Sequence, residues 1–372
     1  MIREYVGGHD MSLLHDTKKA IYRSHISDLY SKYYLRYKFL DCKIKYMLGI
    51  LKPEVFWLST YGCNFHCEHC EASAGDKKAS ELSTEDVCNV ITELSEMNIK
   101  RFFISGGEPL VRKDIFKIIR HVLDSGMEYG LASNGYAVDK FKEEFKEMKP
   151  YMYFTSIDGL EKTNDKIRQK EGAFKKSLEA LEFFKSIGVG FRSVNTVVMP
   201  NNIEELPELK KVIMNSACTF WRFAIPIPVG RYRDDGKTYL SNEQIKYLFD
   251  FIEETNKEFD VELTEEAGYL GCMSYKLRSR PFFCGAGLTR CSILPDGEVF
   301  GCQIFYDNKF SEGNIKNKSF KEIWKTGFSR YRDPKCDKEE CVSCKDFKSC
   351  MGGCWGMRMG NKHCYKEIWS KK

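Results

Sequence analysis

Residues 55–70 read Val55-Phe56-Trp57-Leu58-Ser59-Thr60-Tyr61-Gly62-Cys63-Asn64-Phe65-His66-Cys67-Glu68-His69-Cys70. The first six are bulky or β-branched, the composition of a buried strand. The last eight carry three cysteines at C-x3-C-x2-C spacing, in the loop that this strand feeds. Downstream, strands and helices alternate. Ser83 and Asp86 have capping-box spacing, and Val87, Val90, Ile91 and Leu94 make one helix face. Phe102-Phe103-Ile104 reads as a second strand, and Ile115, Ile118, Ile119 and Val122 as the next helix. Strands follow near 128–133, 151–157, 190–199 and 219–225, with helices carrying Leu178, Leu181 and Phe184, then Leu206, Leu209, Val212 and Ile213. Six β/α units in a row predict an α/β fold with a parallel sheet. Some 170 residues fall short of the ~250 of a closed eight-fold barrel, so a partial (β/α)6 TIM-like barrel is expected. The cysteine loop then lies at the C-terminal mouth, where such barrels assemble their sites.

The whole chain has 372 residues, 30% charged, with 26 Phe, 20 Tyr and 16 Cys. This composition excludes a disordered chain, and no apolar run approaches the ~20 residues of a membrane span. Met1-Ile2-Arg3-Glu4-Tyr5 leads into Gly7, Gly8, His9 and Asp10 without a secretory apolar stretch, so a cytoplasmic protein is expected. Cysteine-rich chains of a reducing compartment bind metal or do redox work more often than they form disulfides. Here the cysteines cluster: one triplet near residue 65, and ten between 272 and 364.

Three thiolates can hold three irons of a [4Fe–4S] cluster and leave the fourth open to a ligand. A zinc site would want a fourth protein donor, which His66 or His69 could supply. Spacing alone leaves both open. The triplet after strand one resembles the radical S-adenosylmethionine (SAM) superfamily, and further motifs fall where that family has them. Ser105-Gly106-Gly107-Glu108-Pro109 ends the second strand and matches the family's GGEP loop, which holds the amino group of SAM. Ser133-Asn134-Gly135 ends the third strand and Ser156-Ile157-Asp158-Gly159 the fourth, where the family places polar SAM contacts. Arg168, expected in the following loop, is a candidate for the SAM carboxylate, which a guanidinium can bind bidentately. His69 occupies an often aromatic position near the adenine. The resemblance covers about 55–227 and implies Cys63, Cys67 and Cys70 as cluster ligands, with Gly106, Gly107, Glu108, Pro109, Ser133, Asn134, Ser156, Asp158, Arg168 and His69 around SAM.

Beyond Pro226-Ile227-Pro228 the rhythm breaks. A helix with Ile245, Leu248, Phe249 and Ile252 leads into a Gly- and Cys-rich region. Cys341-x2-Cys344-x5-Cys350-x3-Cys354 and Cys364, preceded by Cys284-x12-Gly297-x4-Cys302, resemble the SPASM extension of radical SAM enzymes that modify peptides and proteins. That resemblance implies two auxiliary [4Fe–4S] clusters, one on Cys284, Cys291, Cys302 and Cys354, the other on Cys341, Cys344, Cys350 and Cys364. Two zinc sites of four cysteines each are the rival from spacing alone. Cys88 and Cys218 are expected in the core, and Cys272 and Cys336 flank the ligand sets as substitutes or bystanders. Four segments result: 1–54 basic and aromatic, 55–230 the partial barrel, 231–270 a bridging helical region, and 271–372 the SPASM domain.

The net charge of +5 is local. Residues 12–52 hold nine Lys and Arg against three Asp, a net of +6, so the remainder sums to −1. Tyr30, Tyr33, Tyr34 and Tyr37 recur at helical spacing within it. Such a helix either packs its aromatic stripe on the main domain, with a solvated basic face, or offers a docking surface to an acidic peptide or another polyanion. No nucleic-acid motif accompanies the charge. The resemblance implies SAM and three [4Fe–4S] clusters as cofactors, a flavodoxin or ferredoxin as electron donor, and an oxidative change such as a crosslink on a ribosomally made precursor peptide. Anaerobic sulfatase-maturating enzymes share the layout but carry a base Asp after the cysteine matching Cys302, where this chain has Gln303. Haem or quinone cofactor biosynthesis stays open beside the peptide reading, as does a non-catalytic metal-binding redox scaffold.

Overall fold

The computed structural model describes residues 27–78, 80–233, 238–280, 282–304, 306–332, 341, 343–344, 346–359, 364–365 and 368. Lys18, Lys19, Arg23 and Cys336 lie outside these residues, as does the side chain of Cys272.

Ten strands form one sheet in the order β10-β9-β8-β1-β2-β3-β4-β5-β6-β7. The six strands read from the sequence are present as β1 (Glu54–Leu58), β2 (Arg101–Ser105), β3 (Glu128–Ala132), β4 (Met152–Ser156), β5 (Phe191–Val197) and β6 (Phe220–Ala224). All neighbours among them pair in parallel, and the intervening helices bury one face each against the sheet. Helix Thr84–Glu96 starts on the expected Ser83–Asp86 capping box and buries Val87, Val90, Ile91 and Leu94. Helix Ile115–Asp124 buries Ile115, Ile118, Ile119 and Val122. Three features depart from the expectation. A short seventh parallel strand, β7 (Val261–Leu263), extends the sheet beyond β6 inside the segment expected to be helical. Helix Glu161–Arg168 replaces the loop expected after β4, so Arg168 ends a helix. On the far edge β8 (Arg290–Ile293) pairs in parallel with β1, Val55 opposite Cys291, and carries antiparallel β9 (Glu298–Phe300) and β10 (Gly313–Asn314). The cysteine-rich region therefore continues the barrel sheet.

Helix α1 (Ser27–Met47) lies over the C-terminal region. Its Phe39 lines a small chamber that it shares with Cys284, Cys350, Tyr331 and Trp355. Of the two cysteines expected in the core, Cys218 is buried and Cys88 only half-buried. No described helix is long and apolar enough to cross a membrane.

Candidate active site

The loops at the C-terminal ends of β1 to β4 converge as the sequence order implies. The cysteine loop closes on itself: Cys63 N–H donates to Gly75 O at 2.7 Å and Gly75 N–H to Tyr61 O at 2.9 Å. The loop after β2 is hydrogen-bonded to it, Gly107 N–H to Thr60 O and Glu108 N–H to Gly62 O, both at 2.9 Å. A Cβ on Gly107 would stand 2.1 Å from Gly62 O, so glycine is required for this approach. Glu108 is fully buried. Its carboxylate accepts from Leu110 N–H at 3.1 Å, Ser133 Oγ–H at 2.8 Å and Asn134 N–H at 2.7 Å. Burial pushes Glu108 up to about 7, with those three donors pulling the other way. Pro109 follows, buried, at the start of a short turn. Asn134 also donates from Nδ2 to Asn64 Oδ1 at 2.8 Å, tying the third loop to the first.

Each sulfur of the triplet meets one N–H donor: Phe65 N–H to Cys63 at 3.4 Å, Ala74 N–H to Cys70 at 3.5 Å, and Arg168 Nη1 to Cys67 at 3.9 Å. Burial raises the Cys63 thiol to about 12 and the Cys67 thiol as well, so iron must displace protons there. Asp158 is fully buried behind the triplet. Its Oδ2 pairs with Arg168 Nη2 at 2.6 Å and lies 3.5 Å from His69 Nε2, and its Oδ1 accepts Val197 N–H at 2.8 Å. Burial lowers His69 to about 4. Ser156 ends β4 opposite Asn195 and is half-buried.

Arg168 Nε and His69 Nδ1 are buried here without a hydrogen-bond partner. Both belong to residues that the resemblance assigns to SAM. Beside a three-thiol loop with N–H donors on every sulfur, these orphaned atoms fit an iron–sulfur cluster with SAM. Among the described residues no three Cys, His, Asp or Glu side chains close on a single ion.

Two groups of C-terminal cysteines act on one another electrostatically. Cys284 and Cys302 both bear electrostatically on Cys354, which burial raises strongly. Cys291, in β8, is fully buried, and Arg332 is the charge acting on it. Cys341, Cys344 and Cys364 all act on Cys350, which burial raises to about 12.

Four residues that the sequence did not single out belong to this site. Arg231, in the loop after β6, donates from Nε to Cys67 O at 2.7 Å and from Nη1 to Ala74 O at 2.6 Å. Gly230 beside it (φ +58°) has room for no Cβ, which would stand 2.2 Å from Cys70 O. Tyr306 is half-buried, packs on Leu58, Leu294 and Phe300, and feels both Cys70 and Cys302 electrostatically. Glu71 faces it, and burial with the neighbouring Glu266 raises Glu71 to about 8. Only glycine beside a Pro-rich turn could have pointed to Gly230 and Arg231. Gln303, which stands where the sulfatase-maturating pattern has its base, holds a buried Nε2 without a partner, and Tyr306 Oη donates to its carbonyl.

The partial parallel barrel matches a radical SAM domain, and the cysteine-rich edge that extends it an iron–sulfur cluster-binding SPASM domain. The superfamily matches residues 57–213, and the SPASM domain residues 284–351. The chain is similar to AdoMet-dependent heme synthase of Methanosarcina barkeri, 27% identical over 80% of this chain and 90% of the relative. It is also 28% identical to mycofactocin maturase MftC of Mycolicibacterium smegmatis, over 80% of this chain and 76% of that protein. The crystal structure of Streptococcus suis SuiB bound to precursor peptide SuiA superimposes with a TM-score of 0.67 at 17% identity, covering 88% of this chain and 77% of SuiB.

Proposed function

We propose that the protein is a peptide maturase that uses SAM to make an oxidative change, such as a crosslink, in a ribosomally synthesised peptide. The observation that carries this reading is the joined pair of loops at 59–75 and 106–109, with the orphaned Arg168 Nε and His69 Nδ1 beside it, opposite a second region holding two thiol sets. Cys63, Cys67 and Cys70 would hold the SAM-binding cluster, Cys284, Cys291, Cys302 and Cys354 a first auxiliary cluster, and Cys341, Cys344, Cys350 and Cys364 a second. When bound, cluster and SAM supply a 5′-deoxyadenosyl radical on reduction by a flavodoxin or ferredoxin. The chain's own residues orient and seal. The loop at Gly106–Pro109 takes the amino group of SAM, Arg168 its carboxylate, His69 lines the adenine, and Ser133, Asn134, Ser156 and Asp158 fix these loops. The roles divide along the chain as 55–230 for radical generation, 271–372 for electron acceptance, and 1–54 for partner contact.

The relatives support a peptide through mycofactocin maturase, and a haem precursor through heme synthase. Anaerobic reconstitution with iron and sulfide, then SAM and dithionite, tests the common core through release of 5′-deoxyadenosine. About twelve irons per chain are expected, and about four would remove both auxiliary clusters. Peptides encoded beside this reading frame, offered alongside an iron-coproporphyrin, separate the two substrates. A peptide product lighter by two hydrogens supports the proposal, and loss of carbon dioxide from the porphyrin overturns it.

A further inference from the structure

Helix α1 is apolar on two opposite faces. The inner face packs: Cys42 is buried, Phe39 lines the chamber beside Cys284 and Cys350, and Tyr46 Oη donates to Lys325 O at 2.7 Å. The outer face carries Tyr33, Tyr37, Leu40, Ile44 and Met47, all between 42% and 68% exposed. At ~100° per residue these five fall within a stripe about 80° wide, centred opposite Cys42. Leu48 and Ile50 prolong it. These seven are most of the large apolar side chains that the described residues expose; Val111, Met214 and Tyr247 lie elsewhere. Tyr33 and Tyr37 of the aromatic stripe therefore turn away from the main domain.

The spacing of that outer face, four and three residues in alternation, is the seam that one helix offers another. Arg36 and Lys43 run along one flank, a heptad apart, and on the far side Lys45 pairs with Asp41 at 2.8 Å. A second copy would set basic rows against one another. It would also bury five seam residues a side, against the ~20–30 of a stable interface. The charge favours an acidic partner.

We infer that this face of α1 docks an acid-flanked amphipathic helix belonging to the peptide substrate. The inference rests on the peptide reading above, and its test is separable from it. The probe is a labelled synthetic peptide of about three heptads with Leu at the seam and Glu on both flanks, compared with a twin carrying Lys on the flanks. Fluorescence anisotropy with the full reconstituted chain should show the Glu peptide binding about tenfold or more tighter than the Lys twin, and weakening with added salt. The double variant Tyr37→Glu, Ile44→Glu should lose at least tenfold, and Arg36→Glu, Lys43→Glu should reverse the preference between the peptides. Neither pair touches the radical site, so unchanged 5′-deoxyadenosine formation from SAM certifies the fold of each variant. Equal binding of the two peptides, or none, overturns the inference. So does Glu-peptide binding that appears only once residues 1–26 are removed, since the chain's own segment is then the occupant. A dimer in sedimentation that Tyr37→Glu, Ile44→Glu disperses would make a second copy the occupant. A protein that binds the Glu peptide yet alters no peptide fails the functional reading alone. One that alters its peptide at the same rate with or without Tyr37→Glu, Ile44→Glu fails the docking alone.

Discussion

Gly107 separates two loops by less than the width of a methyl group. An added Cβ would sit 2.1 Å from Gly62 O, and neither backbone can yield without opening the cysteine loop. Gly75, in the same loop, has ordinary φ and nothing closer than 3.9 Å to a built Cβ. Gly107→Ala is therefore expected to lose the first cluster and cut SAM cleavage at least a hundredfold, while Gly75→Ala retains both. Iron content and 5′-deoxyadenosine yield measure the pair. Arg168 makes the second test at this scale. Its guanidinium spends Nη2 on Asp158 and Nη1 near Cys67, leaving Nε for a ligand. A lysine keeps the charge but not the fork, so Arg168→Lys should weaken SAM binding by about tenfold, or ~1.4 kcal/mol, in calorimetry on the reconstituted protein. Arg168→Gln should go further and strand the fully buried Asp158, at a cost of about 3–5 kcal/mol in denaturant unfolding. Residues of this kind were legible because glycines, cysteines and polar strand ends each mark a backbone or ligand need. Arg231 was not, since it serves backbone carbonyls 157 and 164 positions away, and carbonyls leave no mark in a sequence.

At the scale of elements, the β/α series was legible wherever a strand was buried on both faces or a helix kept one apolar face. Ser83 shows how local that information is: its hydroxyl accepts Asp86 N–H at 3.1 Å, and Asp86 Oδ2 accepts Ser83 N–H at 2.9 Å. Ser83→Ala should cost about 1 kcal/mol of stability in thermal unfolding and leave SAM cleavage unchanged. Strands of two to four residues escape such reading, because alternation needs more length than β7, β8, β9 or β10 provides. Helix Glu161–Arg168 escaped it because its polar face dominates, with Ile167 the one large apolar residue it buries. The loop after β6 acts as a clasp on the triplet from five strands away. Arg231→Met keeps the length but removes the hydrogen bonds to Cys67 O and Ala74 O. Chelator challenge should then strip iron from the Cys63–Cys70 site about tenfold faster, with the Cys341–Cys364 set unaffected.

For the whole molecule, the decisive fact is that β8 pairs with β1. Cys291 lies opposite Val55 on the strand that feeds the triplet, and Ser292 opposite Phe56. The cysteine-rich region and the barrel thus share a sheet, a core and a strand edge. Tyr306 reinforces the junction, packing half-buried on Leu58 of β1 together with Leu294 and Phe300. Two regions joined only by a linker would unfold separately, each with its own transition. Here, detaching β8 would bare the β1 edge together with Val55 and Trp57, so neither half can open without exposing the other's core. Loaded protein should therefore unfold in denaturant as one transition, seen alike by far-ultraviolet circular dichroism and by the visible absorption of the clusters. Cys341 and Cys344 lie outside that shared sheet, half-buried and exposed respectively. Replacing both with Ala should remove about four irons per chain while leaving the single transition and the yield of 5′-deoxyadenosine in place. Replacing Cys291, by contrast, alters a strand fully buried against β1, and should lower the transition midpoint as well as the iron content. Two separated transitions in the loaded protein would show that the pairing of β8 with β1 does not couple the regions.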